Sequence, residues 1–307
     1  MSKKIYYGWW IVAAVFMISA YGSGVISFSF TAFFEPIINE FGWSYARVSI
    51  AASIRGMEFA LLAPLVGIFF DLLGPRKLIF TGTMITGLGL FILSRINSLA
   101  AFYGAFILIA SGSSTFMGVV PMTIANRWFD RNASLATGII ICGIAAGGLL
   151  VPPVTMIIDN FHWRTALVIL GLTTWICVAP LSLMVRDSPE KYGGLPEREK
   201  KGRHVQSGQV PAKHFETEET GVFHILKTRF FWHLAVGLLC HVMSLHSVVT
   251  HVMPYLSSIG IRRTMSSFVT SAIPILSIPG RIGFGWLGDR FNKRRVMAAG
   301  IALTGIS

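Results

Sequence analysis

Apolar residues run along this chain in blocks of roughly 18 to 25, about the length that carries a helix across a ~30 Å hydrocarbon core. The blocks predict eight full spans, at residues 8–32, 47–70, 78–95, 100–125, 133–157, 163–185, 230–256 and 265–288. A ninth apolar run opens near Val296 and stops at Ser307, so the sequence reads as ending inside a helix. Polar residues gather in short connections between the blocks, and one connection, from Asp187 to Lys227, is long. The expected fold class is an all-α membrane protein.

Composition agrees with the pattern. Of 307 residues 53% are apolar and 13% charged, with mean hydropathy +0.64, whereas soluble domains carry about a quarter charged residues. The start, "MSKKIYYGWWIVAAVF", has the basic-then-apolar order of a signal peptide. Its long apolar run, its Tyr and Trp pairs and the lack of a small-residue cleavage site favour a retained first helix with an aromatic belt.

The net charge of +12 invites a nucleic-acid reading, but position decides against it. With the N-terminus placed in the cytoplasm and sides alternating, cytoplasmic segments hold 19 of the 26 Lys and Arg, and the opposite side five. Arg55 and Arg281 fall within spans. This is the positive-inside bias, and it places the protein in a plasma or inner membrane with no nucleic-acid partner. The three cysteines lie in apolar spans at unrelated spacings, as small buried hydrophobes do.

An acid-then-base break occurs twice. "GIFFDLLGPRK" ends span two with Gly67, Asp71, Gly74, Arg76 and Lys77, and "GFGWLGDRFNKRR" ends span eight with Asp289 and Arg290. Gly67 is expected to admit a neighbouring helix, and the cations to suit a helix C-terminus. The first break fills every fixed position of G-x-x-x-D-x-x-G-x-R-K and resembles the loop signature of the major facilitator superfamily. "NRWFDRNASLATG", "FHWRTALVILG" and "RDSPEKYGG" are further landmarks, and together they resemble the oxalate/formate antiporter and monocarboxylate transporter branch. The resemblance implies two six-helix bundles rocking around a central cavity, with the repeated break as a charged latch between them. This sequence would supply a complete six-helix bundle at 1–186, a cytoplasmic linker at 187–228, and an incomplete second bundle at 229–307 of about two and a half helices.

Ionisable residues inside spans are the sharper clue, since each costs about 2.5–3.5 kcal/mol at mid-helix on insertion scales. Arg281 lies eight residues before Asp289, about 12 Å into the membrane at 1.5 Å per residue. Its own span offers no nearby acid, and a guanidinium fork matches a carboxylate. The resemblance implies the same, because its members hold their anion with an Arg in span eight at this position. The bland alternative is a structural Arg paired with a carboxylate such as Glu58. Arg55 and Glu58 stand three apart on one face of span two. Glu58 is a candidate proton-coupling group, and Arg55 a candidate second anion contact. His241, mid-span in span seven, is a further titratable candidate; no acid or thiol joins the span-seven histidines at ligand spacing, so neither metal nor other cofactor is expected. Phe28 and Ser277 stand where proton-coupled members of that branch have a Lys and an Asp, so their coupling scheme does not carry over.

Hydroxyls of span one (Ser19, Tyr21, Ser23, Ser27, Ser29, Thr31) and span four (Ser111, Ser113, Ser114, Thr115) suit a cavity lining or helix–helix hydrogen bonds equally. "GIIICGIAAGGLLVPP" in span five reads as close packing followed by a bend. The expected function is secondary transport of small organic anions by alternating access, with proton symport and anion exchange both open. The alternatives are a sugar or drug carrier of the same fold, or an inactive fragment. No nucleophile–base pair or phosphate-cradling loop suggests an enzyme, and the sequence sets no oligomeric state.

Overall fold

A computed structural model of the protein describes residues 6–129, 133–187, 228–290, 296, 299–300 and 302–303. No strand occurs among them. Helix α1 (Tyr7–Gly22) passes through a π turn (Ser23–Phe28) and a 3-10 turn (Ser29–Phe33) into α2 (Phe34–Phe41). Then come α3 (Tyr45–Ser94), α4 (Leu99–Ser114) and α5 (Val119–Trp128). Helix α6 (Ala133–Ala146) runs through a 3-10 turn (Gly147–Leu150) into α7 (Val151–Phe161). Helix α8 (Trp163–Thr173) runs through a π turn (Thr174–Val178) into α9 (Ala179–Met184). The last two are α10 (Arg229–Ser258) and α11 (Arg263–Arg290). Among the described residues six helices are long and apolar enough to cross a membrane by length and composition. The expected linker at 187–228 lies, but for its two end residues, outside the described residues.

The 50-residue α3 is two spans. Its only non-helical backbone is at Gly74 (φ 74°, ψ 161°), and Pro75 opens the second leg, where its fixed φ suits a helix start. Contacts with α4 and α5 show the reversal. Along the first leg Arg47, Glu58 and Asp71 meet Tyr103, Ser111 and Arg127, both series ascending. On the second leg Gly82 faces Gly112 while Gly89 faces Ile109, so the order descends. The break expected as a loop at 71–77 is therefore a one-residue turn.

Two poles follow. At the Asp71 pole, Tyr6 Oη donates to Trp128 O (3.0 Å), Tyr7 Oη to Met184 O (3.0 Å) and Trp128 Nε1 to Arg186 O (3.0 Å). The aromatic start of the chain is thus tied into the bundle. At the opposite, Glu40 pole, Gly42 (φ 65°) closes α2 by donating to Ile38 O, and Ser44 and Ser98 cap α3 and α4. Between the poles, Phe30, Phe34, Phe102 and Phe106 interlock at 4.7–4.9 Å between ring centroids.

Span one is longer than the sequence pattern suggests. The amphipathic α2 continues it to Phe41, burying Phe34 and Ile37. Spans one and five cross where both depart from α-helix. Ser23 Oγ donates to Ile144 O (2.8 Å), and a Cβ on Gly24 would lie 2.5 Å from Gly147 O. The close packing and bend read from "GIIICGIAAGGLLVPP" are both present. Irregular backbone at membrane depth is tolerated where it is buried in protein or lines a cavity.

Helices α10 and α11 dock on this bundle. Ser271 and Pro274 of α11 lie against Gly148. Helix α10 meets it near the Glu40 pole, where Thr31 Oγ1 donates to Met253 Sδ (3.8 Å) and Tyr45 Oη pairs with His251 Nδ1 (3.4 Å). Between them lies a cavity of about 250 Å³, lined by Phe34, Glu35, Tyr45, Met253, Pro254 and Ser257 among others.

Candidate substrate site

The structure places Arg281 on the inner face of α11, half-buried, donating from Nη1 to Ile141 O of α6 at 3.1 Å. Ile141 lies eight residues inside α6, so both helices put the guanidinium about 12 Å from the Asp71 pole. Among the described residues no carboxylate pairs with it. The structural alternative, an Arg281–Glu58 pair, does not form.

Arg55 and Glu58 share a face of α3 but diverge from it. Arg55 Nη1 donates to Ile26 O within the span-one π turn, and its guanidinium stands 5.6 Å from the Phe30 ring centroid. Glu58 Oε1 accepts from Ser111 Oγ, while its Oε2 is buried without a hydrogen-bond partner among the described residues. They are therefore not an ion pair. Arg281 and Arg55, expected as anion anchor and second anion contact, are held by spans five and one and share no described contact. His241, Asp289 and Arg290 fall on helical backbone, and their side chains lie outside the described residues.

The break after span two is built differently from the sequence expectation. Asp71 pairs with Arg127 at 2.5 Å, and Arg127 lies 4.5 Å from the Phe70 ring centroid. Arg76 and Lys77 are exposed and form no ion pair among the described residues. A Cβ at Gly67 would meet nothing within 4 Å, so the expected close helix approach is not there. Gly74 is the glycine the turn needs. A Cβ there would lie 2.8 Å from Asp187 Oδ1, and that carboxylate faces the start of the second leg, where the helix dipole favours an anion. Asp187 and Arg127 belong to the landmark stretches "RDSPEKYGG" and "NRWFDRNASLATG", so three motifs meet at one pole.

The fourth landmark closes the other pole. Trp163 Nε1 donates to Glu40 Oε2 (2.6 Å), and Arg164 Nε and Nη2 donate to Glu40 Oε1 (3.1 and 2.7 Å). Arg164 also donates to Ser94 O and Ile96 O (2.9 and 3.0 Å) and lies 4.7 Å from the Trp163 ring centroid. One guanidinium thus ties the end of span one, the turn between spans three and four, and the start of span six. Glu40→Ala is expected to cost about 2–3 kcal/mol, since it removes the charge-assisted hydrogen bonds that Arg164 and Trp163 donate to the carboxylate, read as a lower melting temperature in detergent. Beside it His162 has φ 70° and ψ 145°, a region that costs a non-glycine residue about 1–3 kcal/mol. His162→Gly is expected to raise the melting temperature by several degrees in the same assay, the reverse of the Glu40 variant.

Most span hydroxyls turn back to their own helix. Thr83, Thr86, Thr155 and Thr174 each donate to the carbonyl four residues earlier. Ser113, Ser114 and Thr115 donate three residues back. Ser111, Ser23, Thr31 and Tyr21 reach other spans, the helix–helix bonding that the sequence left open beside a cavity lining.

Helices of membrane-spanning length, several of them broken by π and 3-10 turns, describe a polytopic membrane bundle among the described residues, and sequence comparison gives its family. The Major Facilitator Superfamily profile matches residues 8–307, and the chain belongs to that family. It is 27% identical to mouse monocarboxylate transporter 12 (92% of this chain, 61% of that protein) and 27% identical to rat monocarboxylate transporter 13 (98% and 66%). The oxalate:formate antiporter of Oxalobacter formigenes is 25% identical (94% and 65%). The chain thus spans about 61–66% of the length of these relatives. A bacterial homologue of the human lysosomal transporter Spinster, in an inward-facing, unoccupied crystal structure, superposes with TM-score 0.67 at 18% identity (96% of this chain, 64% of that one). That likeness concerns the fold.

Proposed function

We propose that this protein carries small organic anions of the carboxylate class across the membrane by alternating access. Arg281 is the anion anchor. The observation that carries the reading is its position: a guanidinium about 12 Å deep, half-buried, engaged by a single carbonyl and by no described carboxylate. A charge so placed lowers its cost by taking an anion, and the fork geometry selects a carboxylate. Relatives named for monocarboxylates and for oxalate and formate support that class.

Rocking requires contacts that form at one pole and part at the other. The Thr31–Met253 and Tyr45–His251 contacts join the two halves near the Glu40 pole. At the other pole the Asp71–Arg127 pair and the Gly74 turn order the first bundle's face, and we assign the charged latch between bundles to that face, with Asp71, Arg76 and Lys77 meeting Asp289 and Arg290 of α11. The basic Asp71 pole is assigned to the cytoplasm, with the N-terminus on that side in a plasma or inner membrane.

Glu58 is the group proposed to couple transport to protons, with His241 as a second titratable candidate. Its unpartnered Oε2 has a place for a proton, and Ser111 holds the other oxygen. The test is uptake of radiolabelled oxalate and lactate into proteoliposomes, with and without an imposed proton gradient. Proton symport predicts gradient-driven uptake in the wild type and an unresponsive Glu58→Gln variant. Exchange predicts uptake that depends on preloaded carboxylate and ignores the gradient. Uptake of neither probe under either condition contradicts the assignment.

A further inference from the structure

We propose that Arg55 forms a second anion station, separate from Arg281 and about 12 Å farther toward the Glu40 pole. This rests on the carboxylate reading above and extends it from one site to two in series.

Two rulers give the separation. Arg55 lies sixteen residues before Asp71, and Arg281 eight before Asp289. At 1.5 Å per residue the difference is about 12 Å along the bundle axis. The second ruler is span five. Arg281 is bonded to Ile141, whereas Ser23 and Gly24 of span one meet Ile144 and Gly147. Ile26, the carbonyl that holds Arg55, is two residues farther along, level with residue 149, again about 12 Å from Ile141. A one- or two-carbon carboxylate making charge-assisted bonds of about 2.8 Å cannot bridge that distance. An offset of that size between the two carbonyls that hold the guanidiniums favours successive stations over one shared clamp.

The surroundings of Arg55 are those of a waiting cation. Five N–H donors are available on a guanidinium, and the described contacts engage one of them, with Ile26 O. The Phe30 face orients the group from the side. Glu58, one turn away on the same helix, is turned to Ser111 and leaves the charge unneutralised. Arg55 is half-buried as a residue, with its guanidinium set between spans one and two. The carbonyl it binds sits in a π turn, an irregularity that recurs at functional sites. The Thr31–Met253 contact begins five residues beyond Ile26, which puts the station just inside the seal at the Glu40 pole. An anion crossing the membrane would meet Arg281 and Arg55 one after the other.

Saturation binding of radiolabelled oxalate to the purified full chain in lipid nanodiscs tests this. Two oxalates per wild-type chain are expected, one for Arg55→Gln, one for Arg281→Gln and two for Arg55→Lys, which keeps the charge. All variants should elute monodisperse with wild-type helical circular dichroism; if Arg55→Gln does not, Arg55→Lys with a weakened second site carries the test. A wild-type stoichiometry of one that is lost in Arg281→Gln but kept in Arg55→Gln overturns the second station and leaves Arg281 as the anchor. Loss of all binding in each single variant overturns it in favour of one shared site. Unchanged binding in Arg281→Gln, or no binding of oxalate by the wild type, overturns the reading on which both rest.

Discussion

Replacing Arg281 by glutamine is expected to lower carboxylate transport by about 10²- to 4 × 10³-fold while leaving the protein inserted and helical. The guanidinium is engaged by Ile141 O alone among the described residues. That acceptor belongs to α6, where helical hydrogen bonding already uses its carbonyls. Losing the arginine therefore removes little from the fold. A carboxylate bound there loses its only partner in α11 of opposite charge. Breaking a buried charge pair from one side costs about 3–5 kcal/mol, which converts to the stated factor at 1.4 kcal/mol per tenfold. Arg281→Lys should keep part of the transport, because it retains charge and loses the fork. Equal activity in Arg281→Gln and wild type would remove the anchor from the account.

The largest structural effect is expected at Gly74. Its φ of 74° and ψ of 161° belong to a region open essentially to glycine, and another residue is strained there by about 1–3 kcal/mol. The space is closed as well, since Asp187 Oδ1 would sit 2.8 Å from a new Cβ. Gly74→Val should cost about 3 kcal/mol or more in sum, lowering the melting temperature by roughly 6–12 °C for a chain of this order of size. The steric share can be isolated. Asp187→Gly combined with Gly74→Ala should recover part of the loss, as coupled neighbours do in a double-mutant cycle. The backbone share should remain. A Gly74→Val protein as stable as wild type would mean that the two legs of α3 do not turn on this residue.

Much of this architecture is legible in the sequence because the membrane imposes it. Apolar run length located the eight long helical legs among the described residues, and loop charges separated the poles. The depth of Arg281 was legible for the same reason: a charge eight residues before the nearest acid of its own helix lies well inside the span at about 1.5 Å of rise per residue. Pairings between distant residues were not legible. Asp71 and Arg127 are 56 residues apart, and Glu40 and Arg164 are 124 apart. A local reading gave Asp71 its neighbours Arg76 and Lys77 instead. The three-residue spacing of Arg55 and Glu58 correctly put both on one face, but long side chains leave a common face in different directions. One meets span one and the other span four. The π turn at Ser23–Phe28 carries no residue signature beyond small and apolar side chains, so the carbonyl that holds Arg55 could not be anticipated. Gly67 shows the opposite error, a motif glycine with open space beside it.

The claim that the chain binds carboxylates through Arg281 is tested most directly by competition for labelled oxalate uptake into proteoliposomes. Unlabelled oxalate, formate and lactate should compete with one another, neutral sugars and uncharged drugs should not, and the competition should vanish with uptake in Arg281→Gln. Competition by neutral sugars or drugs with indifference to carboxylates would contradict the account and make Arg281 a structural residue of a different carrier.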